Sequence, residues 1–385
     1  MDKQAGRRGF FSQCACCEPA SGFAGAPASR LPPVSRLPPV SRRNFLSGSA
    51  AATALGFAGA SSVAAPPAVA QAPLAQAPAK PRRIDVHHHI VPPVHAEALA
   101  KHKSTAAKWS IDMSLDDMDK AGVDTAVVSV LNPGVWFGQR DEEARTLARA
   151  CNEYAANLER DYKGRFRSFA VIPLPDTEGS LREIEYALDV LKAEGIALWT
   201  TYSGMYLGDP SFLPVFEELN RRKAVVYTHP TVPDCCANLV KGLPVSTLEY
   251  AHDTTRTIAS LVFGEGQTAL RYPDVQYIWS HSGGTLPFLT SRFVELAGRQ
   301  KDKFPDGPLP IFQRFYYEVA QGNTPGQLAA LMQMVKISQV MFGSDYPFRK
   351  GVEAVEGVHN YKFSPDEIKA IDSENAIRVM PRLRV

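Results

Sequence analysis

The chain has 385 residues, 45% of them hydrophobic, and 42 Lys/Arg stand against 40 Asp/Glu. That is enough apolar material for a full hydrophobic core, and the near balance of charge gives no broadly basic face for nucleic acid or an anionic membrane. Six cysteines in a chain of this length exclude a small disulfide-stapled scaffold.

The first 80 residues read differently from the rest: they are rich in Ala, Pro and Ser and carry no long amphipathic period. Residues 1–80 are therefore read as a leader and residues 81–385 as one domain. The leader holds eight of the basic residues and two of the acidic ones, which leaves 34 basic and 38 acidic groups in residues 81–385, a formal −4. Within it, SRRNFL (41–46) sets Arg42 and Arg43 before Phe45 and Leu46, an Ala/Gly-rich apolar stretch follows to about Ala60, and small residues stand at Ala68 and Ala70. That order resembles a bacterial twin-arginine (Tat) export signal, which implies passage through the Tat machinery and a periplasmic mature protein. The stretch is too short and Gly-rich to be expected as a membrane anchor. The tandem repeat SRLPPVSRLPPVSRR and the Cys14–Cys17 cluster read as parts of an overlong leader or of a mis-chosen start. After Ala70 only Cys151, Cys235 and Cys236 remain, and the adjacent pair is expected to bridge only with strain.

Past residue 80, short β-branched or apolar runs alternate with longer helical periods, the pattern of parallel βα units. Eight strands are expected: RRIDVHHH (82–89), TAVVSV (125–130), FRSFAVIPL (166–174), GIALWTTY (195–202), AVVYTHP (224–230), VQYIWSHSGG (275–284), FYYEVA (315–320) and QVMFGSDYPF (339–348). Residues 141–162 and 180–195 carry apolar positions at three-to-four spacing and are expected to be helical. Eight such units in about 300 residues predict an α/β fold, a (β/α)8 TIM barrel.

Four of these runs close on polar groups: strand one on His87-His88-His89, strand five on His229, strand six on His281, strand eight on Asp345. A barrel gathers all its strand carboxyl ends on one face, so these groups converge although they lie far apart in sequence. Side chains alternate along a strand, so His87 and His89 share one side while His88 points away, packed or hydrogen-bonded outside. Imidazoles with a carboxylate suit zinc, manganese or iron, and the carboxylate also serves as a proton carrier. Asp85 and Glu318, inside strands one and seven, are read either as groups that orient ligands or as hydrogen-bond partners of a neighbouring strand end.

Taken together, IDVHHHIVPP (84–93), the strand-five THP, DTTRTIASLVFGEG (253–266), RYPDVQYIWSHSGGTLPFLTSR (271–292) and MFGSDYPF (341–348) resemble the amidohydrolase superfamily of metal-dependent hydrolase type. The likeness is to its decarboxylase-like branch, the amidohydrolase 2 or 2-amino-3-carboxymuconate-semialdehyde decarboxylase-like proteins, with segments closest to the 6-methylsalicylate decarboxylase subgroup. It runs from about Arg83 to the tail at 373–383. The resemblance implies His87, His89, His229 and Asp345 as metal ligands and His281 as the acid/base. Strand four offers Trp199 and Thr200 where binuclear relatives have a bridging lysine, so one divalent ion, zinc or manganese, is implied. It also implies Arg292 as a contact to the substrate carboxylate, reaching in from the neighbouring subunit of a homodimer, with Arg256 a weaker candidate. Relatives often add an arginine from the first long loop, where this chain has only lysines, including Lys108. Trp136, Phe137, Trp199, Tyr202 and Tyr206 are candidates to wall an aromatic pocket.

The function implied is non-oxidative decarboxylation of a small aromatic or unsaturated carboxylic acid. A hydrolase of a lactone or amide is the alternative, because the same ligands activate water. An exported, non-catalytic metal-binding barrel is the third reading and requires His281 to be idle.

Overall fold

Eight runs of mostly buried residues form one parallel sheet in chain order: β1 (Ile84–Ile90), β2 (Thr125–Val130), β3 (Phe166–Val171), β4 (Gly195–Trp199), β5 (Val225–His229), β6 (Gln276–Trp279), β7 (Tyr316–Glu318) and β8 (Val340–Met341). The computed structural model describes residues 82–138, 141–237 and 239–384, and the leader features, from the cysteine cluster to the twin arginines, lie outside the described residues. Every residue of β1, β2, β4 and β5 is buried, as expected for parallel strands covered on both faces. The sheet closes on itself where β1 meets the segment after β8: Val86 N donates to Phe342 O at 3.0 Å, Asp345 N to His87 O at 2.8 Å and His89 N to Tyr346 O at 2.8 Å.

Helices cover the barrel. Among the longer ones, α1 (Pro93–Lys101) and α2 (Ile111–Ala121) follow β1, and α3 (Asp141–Asp161), α4 (Thr177–Glu185) and α5 (Leu213–Arg221) follow β2, β3 and β4. Next come α6 (Val245–Phe263), α7 (Leu286–Gly298), α8 (Pro325–Met334) and α9 (Gly351–His359) after β5 to β8. The apolar stripe of α3 is the buried series Ala144, Leu147, Ala148, Cys151, Ala155 and Leu158, the spacing that its sequence predicts. At the amino end of the barrel, Arg83 donates from Nε and a terminal nitrogen to the two Asp372 oxygens at 3.0 and 2.9 Å, clamping the start of β1 to the carboxyl-terminal segment.

The strands are shorter than the sequence predicts, and the reason is backbone conformation. The run expected to extend to residue 284 stops at Trp279, because His281, Ser282, Gly283 and Gly284 all take positive φ (53°, 57°, 75° and 65°). A β-carbon on Gly284 would lie 2.1 Å from Ala251 O, so glycine is required there. The expected strand eight likewise ends at Met341 and turns at Asp345, φ 63°. Residues 201–202, expected to prolong strand four, instead form a small antiparallel hairpin with Met205–Tyr206. The predicted helix at 180–195 is α4 continued by one π-helical turn, Tyr186–Val190. Cys235 and Cys236 are joined by a disulfide between adjacent residues in the loop after β5.

One histidine outside the triplet is structural. His95, on α1, is fully buried and donates from Nε2 to Gly134 O at 2.8 Å, pinning the loop after β2. Burial first, then the neighbouring His89, holds its pKa down to about 4. The unfolded chain therefore binds a proton that the folded one refuses between about pH 6.5 and 4, so this contribution is complete above pH 6.5 and fades as pH falls. Urea unfolding of wild type and His95→Gln at pH 7.5 and 5 tests this. The variant should lose about 2 kcal/mol less stability than wild type over that interval; equal losses would mean that folding does not shift the His95 pKa.

Candidate metal centre

The carboxyl ends of β1, β5, β6 and β8 bring five side chains to one buried spot. His87, His229, His281 and Asp345 each offer a ligand atom, and those atoms all lie within 4.8 Å of one another. His89 adjoins them: its Nε2 is 3.0 Å from His87 Nε2 and 3.3 Å from Asp345 Oδ1.

Alternation along β1 holds in spite of a register shift between Asp85 and His88. His87 and His89 point into the barrel mouth. His88 points away: its Nδ1 is 3.1 Å from Asp85 Oδ2, its Nε2 is 2.5 Å from Ser114 Oγ on α2, and its ring stacks on Tyr346 with centroids 4.7 Å apart.

Each inward imidazole is anchored through Nδ1, which leaves Nε2 for the centre. His87 Nδ1 donates to Glu318 Oε1 at 2.9 Å, His229 Nδ1 to Pro230 O at 2.9 Å, and His89 Nδ1 faces Val130 O at 3.3 Å and Ser129 Oγ at 3.2 Å. A hydrogen bond at Nδ1 fixes the tautomer that has its lone pair on Nε2, the form a metal ligand needs. Glu318 also accepts from His281 N at 2.7 Å and Ala320 N at 2.6 Å. Asp85 accepts from His87 N, Ser344 N and Ser344 Oγ, so it locks β1 to the loop after β8. Both readings of the inner carboxylates thus hold, Glu318 orienting an imidazole and Asp85 joining strand ends.

The charge pattern favours a cation. Burial alone would depress His87, but the Glu318 and Asp345 carboxylates outweigh it and lift its pKa to about 10. Burial and then the His89, His87 and His281 rings hold His229 neutral, well below its usual value. For Asp345 burial pulls upward, yet His87 and the hydrogen bonds from the surrounding imidazoles keep it well below the usual carboxylate range. His229 Nε2 and Asp345 Oδ1 are buried without a well-aligned hydrogen-bond partner. Two orphaned ligand atoms of this type, beside two more imidazole nitrogens, fit one divalent metal ion.

His281 sits at the rim. Its Nε2 is 3.5 Å from Asp345 Oδ2 and its Nδ1 has no hydrogen-bond partner. Gln321, which the strand pattern does not single out, donates from its side-chain amide to the same Asp345 Oδ2. It lies three residues past Glu318, so following β7 one step into its loop would have found it. Tyr250 on α6, another residue not foreseen, turns its ring edge to His229 at 6.0 Å and accepts a hydrogen bond from Asn132 at 2.9 Å.

The other sequence candidates are scattered. Trp199 is fully buried against Gly134 and its ring packs in the core, while Trp136 is half-buried and donates to Ser203 Oγ at 3.1 Å. Phe137 stacks on His102, and Tyr202 and Tyr206 bond to Trp199 N and to Asp253. Arg256 is paired with Glu249 at 3.3 Å. Arg292 on α7 and Lys108 are exposed to solvent.

The amidohydrolase family model matches residues 84–382. Decarboxylase yanB of Aspergillus niger is 37% identical over 333 residues, covering 79% of this chain and 88% of that protein. The 6-methylsalicylic acid decarboxylase of Penicillium expansum is 33% identical over 323 residues, covering 78% and 97%. Among solved structures, a dihydroxybenzoic acid decarboxylase from Polaromonas sp. JS666 with bound manganese and the inhibitor 2-nitroresorcinol superposes with a TM-score of 0.70 at 21% identity, covering 80% of this chain and 98% of that one. A barrel closed by parallel strands, a His/Asp cluster at its carboxyl face and a family match from β1 to the last helical turn lead to one conclusion: this chain belongs to the amidohydrolase family.

Proposed function

We propose that this chain is a metal-dependent, non-oxidative decarboxylase of a small aromatic carboxylic acid. The observation that carries the reading is the pairing of a buried donor cluster with His281, whose free Nδ1 and Asp345-facing Nε2 give it a proton to move at the rim of that cluster. The decarboxylase names of the relatives from Aspergillus and Penicillium favour this over lactone or amide hydrolysis and over an idle barrel. His87, His89, His229 and Asp345 would hold one divalent ion, and the manganese in the Polaromonas structure favours that metal over zinc. When bound, the ion supplies Lewis acidity for an oxygen-rich acid.

The chain's own residues account for the proton. His281, whose Nε2 faces the Asp345 carboxylate, gives a proton to the ring carbon that bears the carboxylate. The carbon–carbon bond then breaks, its electron pair restores the aromatic ring, and CO2 leaves, so carboxylate plus proton becomes arene plus CO2. Glu318 fixes His281 through the peptide N–H, and Gln321 fixes the Asp345 oxygen that faces it.

The ligand set is testable residue by residue. His87→Ala, His229→Ala and His89→Ala should each empty the site, whereas His88→Ala should keep the metal. His281→Ala should keep it too while turnover of a hydroxybenzoate falls by about 10²- to 10⁴-fold. Asp345→Asn should lose both. Metal stoichiometry on these variants, with CO2 release followed in parallel, is the check. A protein that retains metal without His89 but not without His281 would exchange the roles of those two residues.

Residues 1–80 are proposed to be a removable leader that takes the folded domain, 81–385, through the Tat machinery to the periplasm, and the domain is proposed to work as a homodimer. Exposed Phe288 and Arg292 on α7 offer a face for a second copy. Changing Arg42 and Arg43 together to Lys should strand the precursor in the cytoplasm of a Tat-competent host; full periplasmic activity of that double variant would rule the export signal out.

A further inference from the structure

The loops after β7 and β8 enclose a cleft of about 230 Å³ lined by Gln321, Asn323, Thr324, Ser344, Arg349 and Glu353. The cleft shares a wall with the metal centre, since Gln321 holds Asp345 Oδ2 and Arg349 N donates to Asp345 O at 3.2 Å. The Arg349 guanidinium is exposed and makes no hydrogen bond or ion pair among the described residues. The two arginines that the sequence puts forward are placed differently: Arg256 is occupied by Glu249, and Arg292 does not line this cleft.

We propose that Arg349 is a specificity-determining residue, its guanidinium receiving the carboxylate of the aromatic acid in the cleft between the loops after β7 and β8. The proposal rests on the decarboxylase reading of the adjoining site. An anion approaching Asp345 and Glu318 meets like charge, so a cation beside them is needed to admit it. Arginine fits because its planar fork gives a carboxylate two parallel donors. Loops seven and eight of a barrel are also a recurrent place for anion recognition. Glu353 stands in the same wall and is not paired with Arg349, so its charge opposes the incoming acid. A contact made before the chemical step acts on KM more than on kcat.

The test is calorimetric titration of the full chain, supplied with Mn²⁺, with benzoate and with phenol, which differ by the carboxylate. Arg349→Gln should weaken benzoate about 10- to 100-fold and leave phenol within about twofold, Arg349→Lys should recover part of the loss, and Glu353→Gln should tighten benzoate. Arg349→Gln binding benzoate within about twofold of wild type would overturn the proposal, as would a wild type that does not prefer benzoate. Steady-state CO2 release separates the two claims. If hydroxybenzoates release CO2 and Arg349→Gln leaves KM unchanged, Arg349 is wrong and the decarboxylase stands. If benzoate binding falls as expected and no hydroxybenzoate releases CO2, the contact stands and the reaction is wrong.

Discussion

The arrangement turns on one buried carboxylate. Glu318 is fully buried at the end of β7, where an ionised group without partners costs several kcal/mol, and it is met by donors from three directions: His87 Nδ1, His281 N and Ala320 N. In satisfying that anion the fold fixes the tautomer of a β1 imidazole and the backbone of the residue at the rim. No slack is left around it, since a β-carbon on Gly343 would lie 2.1 Å from Glu318 Oε2 and 3.0 Å from His87 Cβ. The same acceptor thus links β1, β6 and β7 at the height where the site must form.

Two residues of the donor cluster, His281 and Asp345, sit in unusual backbone conformations. His281 and Asp345 both have positive φ, where a residue with a β-carbon is less stable by roughly 1–2 kcal/mol. The barrel holds them there through Glu318 at one turn and through the His87 carbonyl, which accepts from Asp345 N, at the other. Each turn swings its side chain back over the barrel mouth in place of letting it continue along the strand. An extended strand of the expected length could not do this, which explains why the strands stop where the polar groups begin.

Much of this was legible in the sequence because it depends on strand period. Apolar runs closing on His or Asp give the barrel and its active face, and period two separates His88 from its neighbours before any coordinates are known. What was not legible depends on conformation or on loops. Four consecutive positive φ values after Trp279 leave only the glycine pair as a signal, and the hairpin at residues 201–206 looks like a continuing strand because its residues have β propensity. Gln321 and Arg349 lie in the loops beyond β7 and β8, where no periodicity points to a direction. Trp199 was read as a pocket wall from its position at a strand end, but it is packed in the core, since a large ring on a barrel strand fills interior volume first.

Charge explains why the loop residues matter. The carboxylates around the centre are not equivalent: Asp85 is met by backbone, hydroxyl and imidazole donors, Glu318 by an imidazole and two peptide groups, while Asp345 keeps an orphaned oxygen. The inner pair therefore sets geometry, while Asp345 sets how the centre meets a ligand. A metal ion held as proposed would offset Asp345 while its imidazole ligands stay neutral, and an acid arriving as an anion brings one more negative charge into a low-dielectric mouth. Balance then has to come from the loops, from a cation that is near Asp345 and not already paired. The backbone hydrogen bond from Arg349 N to Asp345 O puts both in one turn, so the turn that aims the carboxylate inward also starts the segment that carries the guanidinium.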